Sequence, residues 1–397
     1  MPEYTLLYPA SVDWDVFKKA KPRQPFAEEV IEYLNALSGA LLKDRASRNY
    51  TDVVTFAFFC RKANLLKLKE QYTRDSVIRL GRGTLFHVAP SNVPINFAYS
   101  LVAGMLAGNY NVVRVSSKVF SQVDIVIKVM HTLIVDFPSV ANCFALVRYD
   151  RMSDATTFFS SFAASRVIWG GDETISTIRK NAIPPRSFDI CFADRYSIAA
   201  INPETIMAAK EADMKKIAEN FYNDTYLFDQ NACSAPHLIF WLNKSDVEAA
   251  KNKFWHAVYE YTVTKYNLPA VLSVDKLTAF YRQAICMDSK IEAMPDNYIV
   301  RVDLKDVPQN IENFRCAGGY FSEKTIDSLD EISPIITNKY QTLAYYGIER
   351  SELKDFVQNN RLLGLDRIVP LGETTAFSLT WDGYNLIDTM SRVCSII

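Results

Sequence analysis

The sequence predicts an α/β protein built on a parallel β-sheet that helices cover on both faces. Two features of the pattern support this expectation. After Gly81, short runs rich in β-branched and aromatic residues alternate with amphipathic segments of helical length. Parallel strands need crossover connections, and helices of this kind provide them. The chain of 397 residues is also long enough for two domains, and a second alternating stretch follows residue 195.

The first predicted unit covers residues 1–194 and begins with helical periodicity at 26–43 and 53–72. Strands are then expected at residues 84–89, 111–115, 144–149, 166–169 and 188–192. The helices expected between them span residues 94–107, 118–137, 153–162 and 173–180. This alternation predicts a doubly wound sheet.

The second predicted unit covers residues 195–375. Strands are expected at 197–201 and 237–242, with helices at 213–228 and 247–266. The tail, residues 376–397, is expected to return across a cleft or to reach an oligomer interface.

The charge balance excludes a strong global electrostatic field. Lys and Arg number 44 and Asp and Glu 45, which gives a net charge of −1. Such a chain has no general attraction for nucleic acid or for an anionic membrane. No window holds roughly 18 uninterrupted apolar residues, and the N-terminal segment lacks the pattern of a secretory signal. We therefore expect a cytoplasmic protein without a membrane span.

Common templates for metal, phosphate and nucleophile sites are absent from the sequence. The seven cysteines form no CxxC pair, and the four histidines form no HExxH motif, so no metal site and no disulfide framework are expected. The segment Gly81-Arg82-Gly83 lacks the third glycine of GxGxxG, and neither GxxxxGK[ST] nor GxSxG occurs.

Cys233 is the candidate nucleophile. It lies in the segment 228–237, between the end of a predicted helix and a predicted strand, among small and amide residues. A loop held by rigid elements is where reactive groups are commonly placed, and a thiolate there can attack a carbonyl carbon. The alternative on chemistry alone is that Cys233, like most cysteines inside cells, is a small core residue.

Asn92 is a candidate oxyanion donor. It precedes Pro94 at the start of the predicted helix 94–107. A side-chain amide at that place can stabilise a developing oxyanion. On the residues alone, capping of the helix by Asn92 is the simpler interpretation.

Arg114, Ser116, Ser117 and Lys118 lie at the end of the predicted strand 111–115. This is the carboxyl edge of the sheet, where open α/β sheets bind ligands. Cations combined with hydroxyls suit a phosphate monoester. A solvated strand end explains the same residues equally well.

Several segments together resemble the aldehyde dehydrogenase superfamily, and most closely its acyl-CoA reductase branch, the LuxC-like reductases. In chain order these segments are the one around Asn92, Ala107-Gly108-Asn109 with Arg114, Trp169-Gly170-Gly171-Asp172-Glu173, Gln230 with Cys233-Ser234-Ala235, Glu331-Ile332-Ser333-Pro334, Asn338 to Leu343, Asp366 to Pro370, and Trp381 to Tyr384. They extend over about residues 80 to 390 and occur in the order that the family shows.

The resemblance implies an aldehyde-dehydrogenase-like fold, with a Rossmann-type doubly wound cofactor domain and a second α/β catalytic domain. It also implies a reaction in which Cys233 attacks the thioester carbonyl of an acyl-CoA or acyl-protein. The oxyanion would be held by the Asn92 amide and a backbone N–H near Cys233. NADPH would then deliver hydride, and the product would be an aldehyde. The cofactor contacts implied are Arg114, Ser116, Ser117, Lys118, Gly170, Gly171 and Glu331.

Two departures from the superfamily sharpen this interpretation. Hydrolytic members carry a glutamate base that activates water, whereas the matching segment here is Cys191-Phe192-Ala193-Asp194-Arg195. Without that base, an acyl-enzyme is protected from hydrolysis, which favours a reductase; Asp194 is the residue that would occupy a related place. The second departure is Ser117, which stands where a ribose-binding glutamate is frequent. A hydroxyl does not repel a 2′-phosphate, which favours NADPH over NADH.

Alternatives remain open at this level. The chain would otherwise be an NAD(P)-dependent aldehyde dehydrogenase that forms an acid or an acyl-CoA, or a non-catalytic scaffold for an acyl-transferring enzyme. The LuxC-like reductases of bacterial bioluminescence imply an acyl-activating synthetase as a partner, and the superfamily implies a homo-oligomer. His237 is given no catalytic role.

Overall fold

The computed structural model describes residues 2–73, 77–292 and 295–396. The chain divides into two compact units. The first comprises Met1–Ala193 together with Ser378–Ile397, and the second comprises Asp194–Phe377. The sequence placed these divisions after residues 194 and 375.

The elements of the first unit follow in chain order. Its strands are β1 (Thr5–Tyr8), β2 (Ile78–Gly81), β3 (Thr84–Val88), β4 (Tyr110–Arg114), β5 (Phe144–Arg148), β6 (Ser165–Trp169) and β7 (Phe188–Phe192). Its helices are α1 (Trp14–Lys18), α2 (Glu28–Lys43), α3 (Thr51–Phe59), α4 (Lys62–Tyr72), α5 (Asn96–Leu106), α6 (Ser121–Leu133), α7 (Pro138–Ala141), α8 (Ala155–Ser160) and α9 (Asp172–Arg179). A 3-10 turn spans Ser47–Asn49.

The second unit and the tail continue the numbering. The strands of the second unit are β8 (Tyr196–Ile201), β9 (Pro236–Leu242), β10 (Ser289–Glu292), β11 (Val300–Leu304), β12 (Tyr320–Ile326), β13 (Tyr340–Tyr346) and β14 (Arg367–Pro370). Its helices are α10 (Pro203–Ala208), α11 (Glu211–Thr225), α12 (Val247–Lys265), α13 (Ala270–Cys286) and α14 (Arg350–Asn360), with 3-10 turns at Tyr226–Phe228, Ile311–Phe314 and Leu329–Ile335. The tail carries β15 (Thr380–Trp381), β16 (Tyr384–Asn385), α15 (Leu386–Met390) and β17 (Ser391–Cys394).

Among the described residues, the first unit holds a six-stranded sheet in the order β1-β5-β4-β3-β6-β7. Strand β1 runs antiparallel to β5, and the neighbours from β5 to β7 are parallel. Strands β3 and β6 are buried along their whole length and β4 along its middle, because helices cover both faces. Apolar runs such as Val112-Val113 and Val167-Ile168 suit these buried positions. The three strands β4, β3 and β6 are adjacent, so the loops at their carboxyl ends share one edge.

The second unit, within the described residues, holds a seven-stranded sheet in the order β10-β11-β12-β9-β8-β13-β14. Only its edge strand β10 is antiparallel to its neighbour among these strands. The side chains of Phe240 and Trp241 on β9 enter core clusters on opposite faces of this sheet. Both sheets therefore have the parallel, helix-covered architecture that the alternating pattern predicts.

The structure corrects two expectations for the first unit, which concern strand β1 and the helix 53–72. Strand β1 lies in a stretch for which only helices were expected. The predicted helix 53–72 is two helices, because the backbone N–H of Lys62 donates to Asn35 Oδ1 at 3.0 Å and Asn64 donates to the Phe59 carbonyl at 2.8 Å, which interrupts the helical ladder. The tail folds on the first unit, where β17 pairs antiparallel with β2.

No helix in the described part of the chain combines the length and the apolar character that crossing a membrane requires.

Candidate active site

The loop that carries Cys233 has an unusual backbone. Asp229 and Gln230, which follow the Tyr226–Phe228 turn, are both left-handed, with φ of 53° and 60°. Neither is glycine, so this conformation costs energy and needs support from its surroundings. The Asp229 N–H donates to the Tyr226 carbonyl at 3.0 Å, and the Gln230 N–H donates to the Thr225 carbonyl at 2.7 Å. The sharp reversal leads the chain from the end of α11 to the start of β9.

The Gln230 side chain fastens this loop to the beginning of β12. It is almost fully buried and makes four hydrogen bonds. Its Nε2 donates to the carbonyls of Pro236 and Tyr320 at 3.0 and 3.1 Å, and its Oε1 accepts from the N–H groups of Gly319 and Tyr320 at 2.8 and 3.1 Å. These bonds use both amide hydrogens and two acceptor positions, so the loop is fixed at a polar but fully satisfied anchor.

Cys233 is held at both its sulfur and its carbonyl. Its Sγ accepts a hydrogen bond from Gln341 Nε2 at 3.3 Å, and its carbonyl accepts from Ser197 Oγ at 2.7 Å. Ser197 Oγ in turn accepts from the Thr342 N–H at 3.2 Å. Since Ser197 lies on β8 and Gln341 and Thr342 lie on the adjacent β13, two paired strands position one partly exposed residue.

The partner of the Cys233 sulfur is a neutral amide donor. Gln341 is fully buried on β13, so its amide is presented from a rigid element. An N–H aimed at sulfur stabilises the thiolate, which is the nucleophilic form of cysteine. The geometry therefore suits a nucleophile that attacks a carbonyl carbon and returns as a leaving group.

His237, four residues after Cys233, is an uncharged aromatic residue of the interior. Its ring stacks on Tyr196 with the centroids 5.6 Å apart. Burial, assisted by the charge of Arg315, lowers the pKa of His237 to about 3. The imidazole is therefore neutral near pH 7. Its Nδ1 has no hydrogen-bond partner among the described residues.

Asp194 is engaged in an ion pair. Both of its carboxylate oxygens accept from Arg315 Nη2, at 2.8 and 2.7 Å, and Arg315 Nη1 donates to the Arg195 carbonyl at 3.0 Å. Asp194, the carboxylate nearest in sequence to the place of the glutamate base in hydrolytic members, is therefore ion-paired with the Arg315 guanidinium.

Asn92 lies in the loop between β3 and α5, and its surface is exposed. The capping interpretation is wrong, because α5 begins at Asn96 and its N-cap position is Ile95, which makes no side-chain capping bond. The loop is instead closed by the Asn96 N–H, which donates to the Val93 carbonyl at 3.2 Å. Asn92 is therefore in the loop at the carboxyl edge of the first sheet, three residues before the N-cap position of α5.

The segment after β4 places two cations and two hydroxyls at the same edge. The Arg114 guanidinium lies over the Tyr149 ring at 4.9 Å, and its Nε is buried without a partner in the described part of the chain. Ser116 is buried, and its Oγ accepts from the Lys118 N–H at 3.1 Å, so its hydroxyl shapes the turn. Ser117 and Lys118 are exposed.

Gly170 and Gly171 join β6 to α9 beside these loops. A Cβ on Gly170 would approach Thr174 to 3.0 Å, which is tighter than ordinary contact. A Cβ on Gly171, by contrast, would meet nothing within 4 Å. The backbone at Gly171 therefore faces open space, where another molecule can approach it closely. The loops after β3, β4 and β6 bring Asn92, the Arg114–Lys118 segment and this glycine turn to one edge.

Glu331 lies elsewhere in the second unit, at the turn that follows β12. Its Oε1 accepts from the N–H groups of Asp327 and Ser328 at 2.6 and 3.1 Å. These bonds form one half of a capping box for the Leu329–Ile335 turn. The structure gives this exposed carboxylate a local capping role.

Sequence reasoning assigned no role to Gln341 or Ser197. The contact of Gln341 with Cys233 spans 108 residues of chain, so local spacing does not reveal it. The available signal was the polar pair Gln341-Thr342 in a strand whose other residues are apolar or aromatic. Among the described residues, no group of three or more His, Cys, Asp or Glu side chains is placed to hold a metal ion.

The structure is similar to solved aldehyde dehydrogenases. Betaine aldehyde dehydrogenase from Staphylococcus aureus aligns with a TM-score of 0.66 and 12% identity, over 96% of this chain and 85% of that chain. A Thermus 1-pyrroline-5-carboxylate dehydrogenase with bound NAD aligns with a TM-score of 0.63 and 13% identity, over 96% and 83%. At such identities the likeness concerns the fold, and it confirms the predicted aldehyde-dehydrogenase-like α/β fold.

At the level of sequence, the chain is similar to the long-chain acyl-protein thioester reductase of Vibrio harveyi. The two are 22% identical over 75% of this chain, which spans 60% of the length of that relative. The profile of the Acyl-CoA reductase (LuxC) family matches residues 62–393. Because this match covers most of the chain, including the segments around Asn92, Cys233 and Gln341, the protein belongs to the acyl-CoA reductase (LuxC) family.

Proposed function

We propose that this protein reduces an acyl thioester to an aldehyde, with NADPH as reductant and an acyl-cysteine at Cys233 as the intermediate. The observation that carries the proposal is the hydrogen bond from the Gln341 amide to the Cys233 sulfur, with 3.3 Å between Nε2 and Sγ. Cys233 stands on a loop that the buried Gln230 anchors. Membership of the acyl-CoA reductase family supports the direction of the reaction.

In the first half-reaction the Cys233 thiolate attacks the thioester carbonyl carbon. The carbonyl electrons move to oxygen, and the resulting oxyanion is stabilised by the Asn92 amide and a backbone N–H near Cys233. When the oxyanion collapses, the original carbon–sulfur bond breaks and the donor leaves as a thiolate. The acyl group remains on Cys233 as a new thioester. The donor is acyl-CoA or an acyl-protein, the latter being the substrate class in the name of the Vibrio harveyi relative.

The second half-reaction needs a hydride, and the edge of the first sheet has features that fit a dinucleotide. The Arg114 Nε is buried with no partner among the described residues, and the Gly171 backbone faces open space. We assign the pyrophosphate and the adenosine 2′-phosphate to the segment of Arg114, Ser116, Ser117 and Lys118, and the nicotinamide half to Gly170 and Gly171. Glu331 would offer its Oε2 to a ribose hydroxyl, since Oε1 closes the capping box. Bound there, NADPH supplies the hydride.

The residues of this chain also limit hydrolysis of the acyl-enzyme. Asp194 is paired with Arg315, and the pKa of His237 is about 3, which makes it a poor base. Neither group is equipped to activate water against the thioester on Cys233. Reduction gives a thiohemiacetal at Cys233, and its collapse releases the aldehyde and regenerates the thiolate. In this scheme the first unit binds the cofactor and the second carries the nucleophile.

The proposed partners follow from the same chemistry. An enzyme that activates fatty acids as thioesters has to supply the acyl donor, so an acyl-activating synthetase is the proposed partner. An aldehyde is reactive and has to be consumed or passed on by a further enzyme.

The test is a panel of acyl-CoAs of graded chain length incubated with NADPH and the purified protein. We expect NADPH consumption with release of one free CoA and one aldehyde per NADPH. Cys233→Ala is expected to abolish the reaction, whereas Cys316→Ala, a matched change at another partly buried thiol, should retain it. Oxidation of aldehydes to free acids, without reduction of any acyl-CoA, would identify an aldehyde dehydrogenase instead.

A further inference from the structure

Helix α13 carries an apolar stripe on the side that faces solvent. Five of the large apolar side chains on this helix of 17 residues are at least half exposed. They are Val271 (62%), Val274 (64%), Leu277 (50%), Tyr281 (57%) and Ile285 (84%). Large exposed residues that cluster on one face, in contrast to single ones, indicate a contact surface.

The stripe follows a heptad pattern. With Val271 at position a, the a positions are Val271, Thr278 and Ile285, and the d positions are Val274 and Tyr281. The spacing of three and four residues along the outer face is the one that lets two helices pack side chains between each other. The outer face is therefore patterned for another helix and not merely hydrophobic.

The inner face of α13 packs Ala279 and Phe280 on the core and also carries two buried polar side chains. Lys276 and Gln283, the two f positions, are buried, with exposed fractions of 1% and 0%. Lys276 Nζ donates to the Asn297 carbonyl at 2.6 Å. Gln283 Nε2 donates to Ser322 Oγ at 3.0 Å, and its Oε1 accepts from the Tyr320 hydroxyl at 2.6 Å. Turning the apolar stripe inward would break these bonds, so the stripe is a lasting feature of the surface.

The charges beside the stripe select the partner and its direction. The two e positions are Asp275 and Arg282, which are exposed and make no ion pair within the described part of the chain. In an antiparallel pair of identical helices e positions face e positions, so Asp275 of each copy meets Arg282 of the other. In a parallel pair they would face the g positions, Leu277 and Ala284, which carry no charge.

The same register also aligns the apolar residues. When Asp275 is opposite Arg282 of a second copy, Val274 packs against Ile285 of that copy, and Thr278 packs against Tyr281. Because the arrangement is two-fold symmetric, each contact occurs twice. Charge and apolar packing thus agree on one arrangement.

We propose that α13 is a self-association surface, through which two copies of this chain pair antiparallel around Thr278 to Tyr281. A contact made by one helix pair is smaller than the roughly 1,200–2,000 Å² that stable dimers bury, so the association is weak and depends on concentration. Sedimentation velocity over a concentration series up to about 0.1 mM should detect it.

A charge-exchange experiment tests the register. Asp275→Arg and Arg282→Asp are each expected to raise the dimer Kd about tenfold or more, because each places like charges opposite one another twice. An equimolar mixture of the two variants should associate again, because one variant then carries arginine at both e positions and the other carries aspartate at both. A mixture that stays dissociated, or single variants that associate like the unaltered chain, overturns the proposal.

An apolar change with a matched control completes the test. Ile285→Glu should also weaken the association, whereas Leu363→Glu, at a similarly exposed apolar residue of the same unit, should not. All variants are checked for unchanged melting temperature and for unchanged acyl-CoA reduction. A chain that sediments without any dependence on α13 substitutions at about 0.1 mM contradicts the proposal, and α13 then contacts a different partner or none.

Discussion

Gln341 Nε2 donates a hydrogen bond to Cys233 Sγ at 3.3 Å, across 108 residues of sequence. The donor stands on a buried strand, and the acceptor stands on a loop that Gln230 anchors with four hydrogen bonds. A rigid neutral donor next to the thiol can stabilise the thiolate before acylation and again when the aldehyde leaves. The relationship makes Gln341 a positioning residue for the proposed nucleophile.

Removing the Gln341 donor should make the Cys233 thiol less reactive towards electrophiles. Gln341→Met is expected to reduce the rate of Cys233 alkylation by iodoacetamide about tenfold to a hundredfold at neutral pH, because a hydrogen bond to a charged group contributes about 1.5–3 kcal/mol. Gln341→Glu should slow it further, since a carboxylate repels the thiolate. Both effects should diminish at high pH. Equal rates in all three proteins at pH 7, with unchanged melting temperatures, would exclude the role.

Gln230 should matter for stability more than for chemistry. Gln230→Ala leaves the N–H groups of Gly319 and Tyr320 without their buried acceptor, and each such group costs about 1–3 kcal/mol. We expect a loss of at least about 2 kcal/mol in the free energy of unfolding, measured with urea. Gln358→Ala, at an exposed glutamine on α14, is the control and should change little. Comparable losses in the two variants would mean that Gln230 is no anchor.

Much of the fold was predictable because short buried strands alternate along the chain with amphipathic helices. The short, mostly apolar runs of β3 to β6 suit the centre of a parallel sheet. Strand β1 was not predictable, because Thr5–Tyr8 is defined by its antiparallel pairing with β5, far away along the chain. The division of the predicted helix 53–72 depends likewise on Asn35, which accepts from the Lys62 N–H across a tertiary contact.

The candidate site shows the same limit at the level of side chains. Cys233 and Asn92 stand in short segments with a recognisable order of residues, so a motif was enough to select them. The role of Gln341 depends on which strands lie next to each other, and that information is absent from local spacing. The capping interpretation of Asn92 failed because α5 begins three residues later than that role requires.

Cofactor preference should respond to Ser117. This residue is exposed, so Ser117→Glu is expected to leave stability unchanged. The added carboxylate repels a 2′-phosphate and can accept from a ribose hydroxyl, so the KM for NADPH should rise about tenfold or more while that for NADH falls. Ser351→Glu, an exposed serine at the start of α14, serves as the control. An unaltered ratio of the two KM values would remove Ser117 from the cofactor site.

His237 should make stability depend on pH. Its pKa in the folded protein is about 3, because burial disfavours the imidazolium, whereas an unfolded histidine titrates near its ordinary value of 6.5. The unfolded state therefore binds the proton more readily, and stability is lost as the pH falls from about 6.5 towards 3. The slope from this residue is at most about 1.4 kcal/mol per pH unit.

The comparison with His237→Phe isolates this contribution. The variant should show a shallower loss of unfolding free energy between pH 6.5 and 4, and the loss that remains comes partly from His87, whose pKa burial lowers to about 4. Parallel curves for the two proteins would show that His237 is not titrated on unfolding.

The central claim is that Cys233 carries the acyl group, and mass spectrometry of the intact protein measures this directly. After exposure to a fatty acyl-CoA without NADPH, we predict a mass increase of one acyl group, located on the peptide with Cys233 and absent from Cys233→Ala. Addition of NADPH should remove the adduct and yield aldehyde. An acyl group located on another cysteine, no adduct with any chain length, or discharge to free acid would contradict the account.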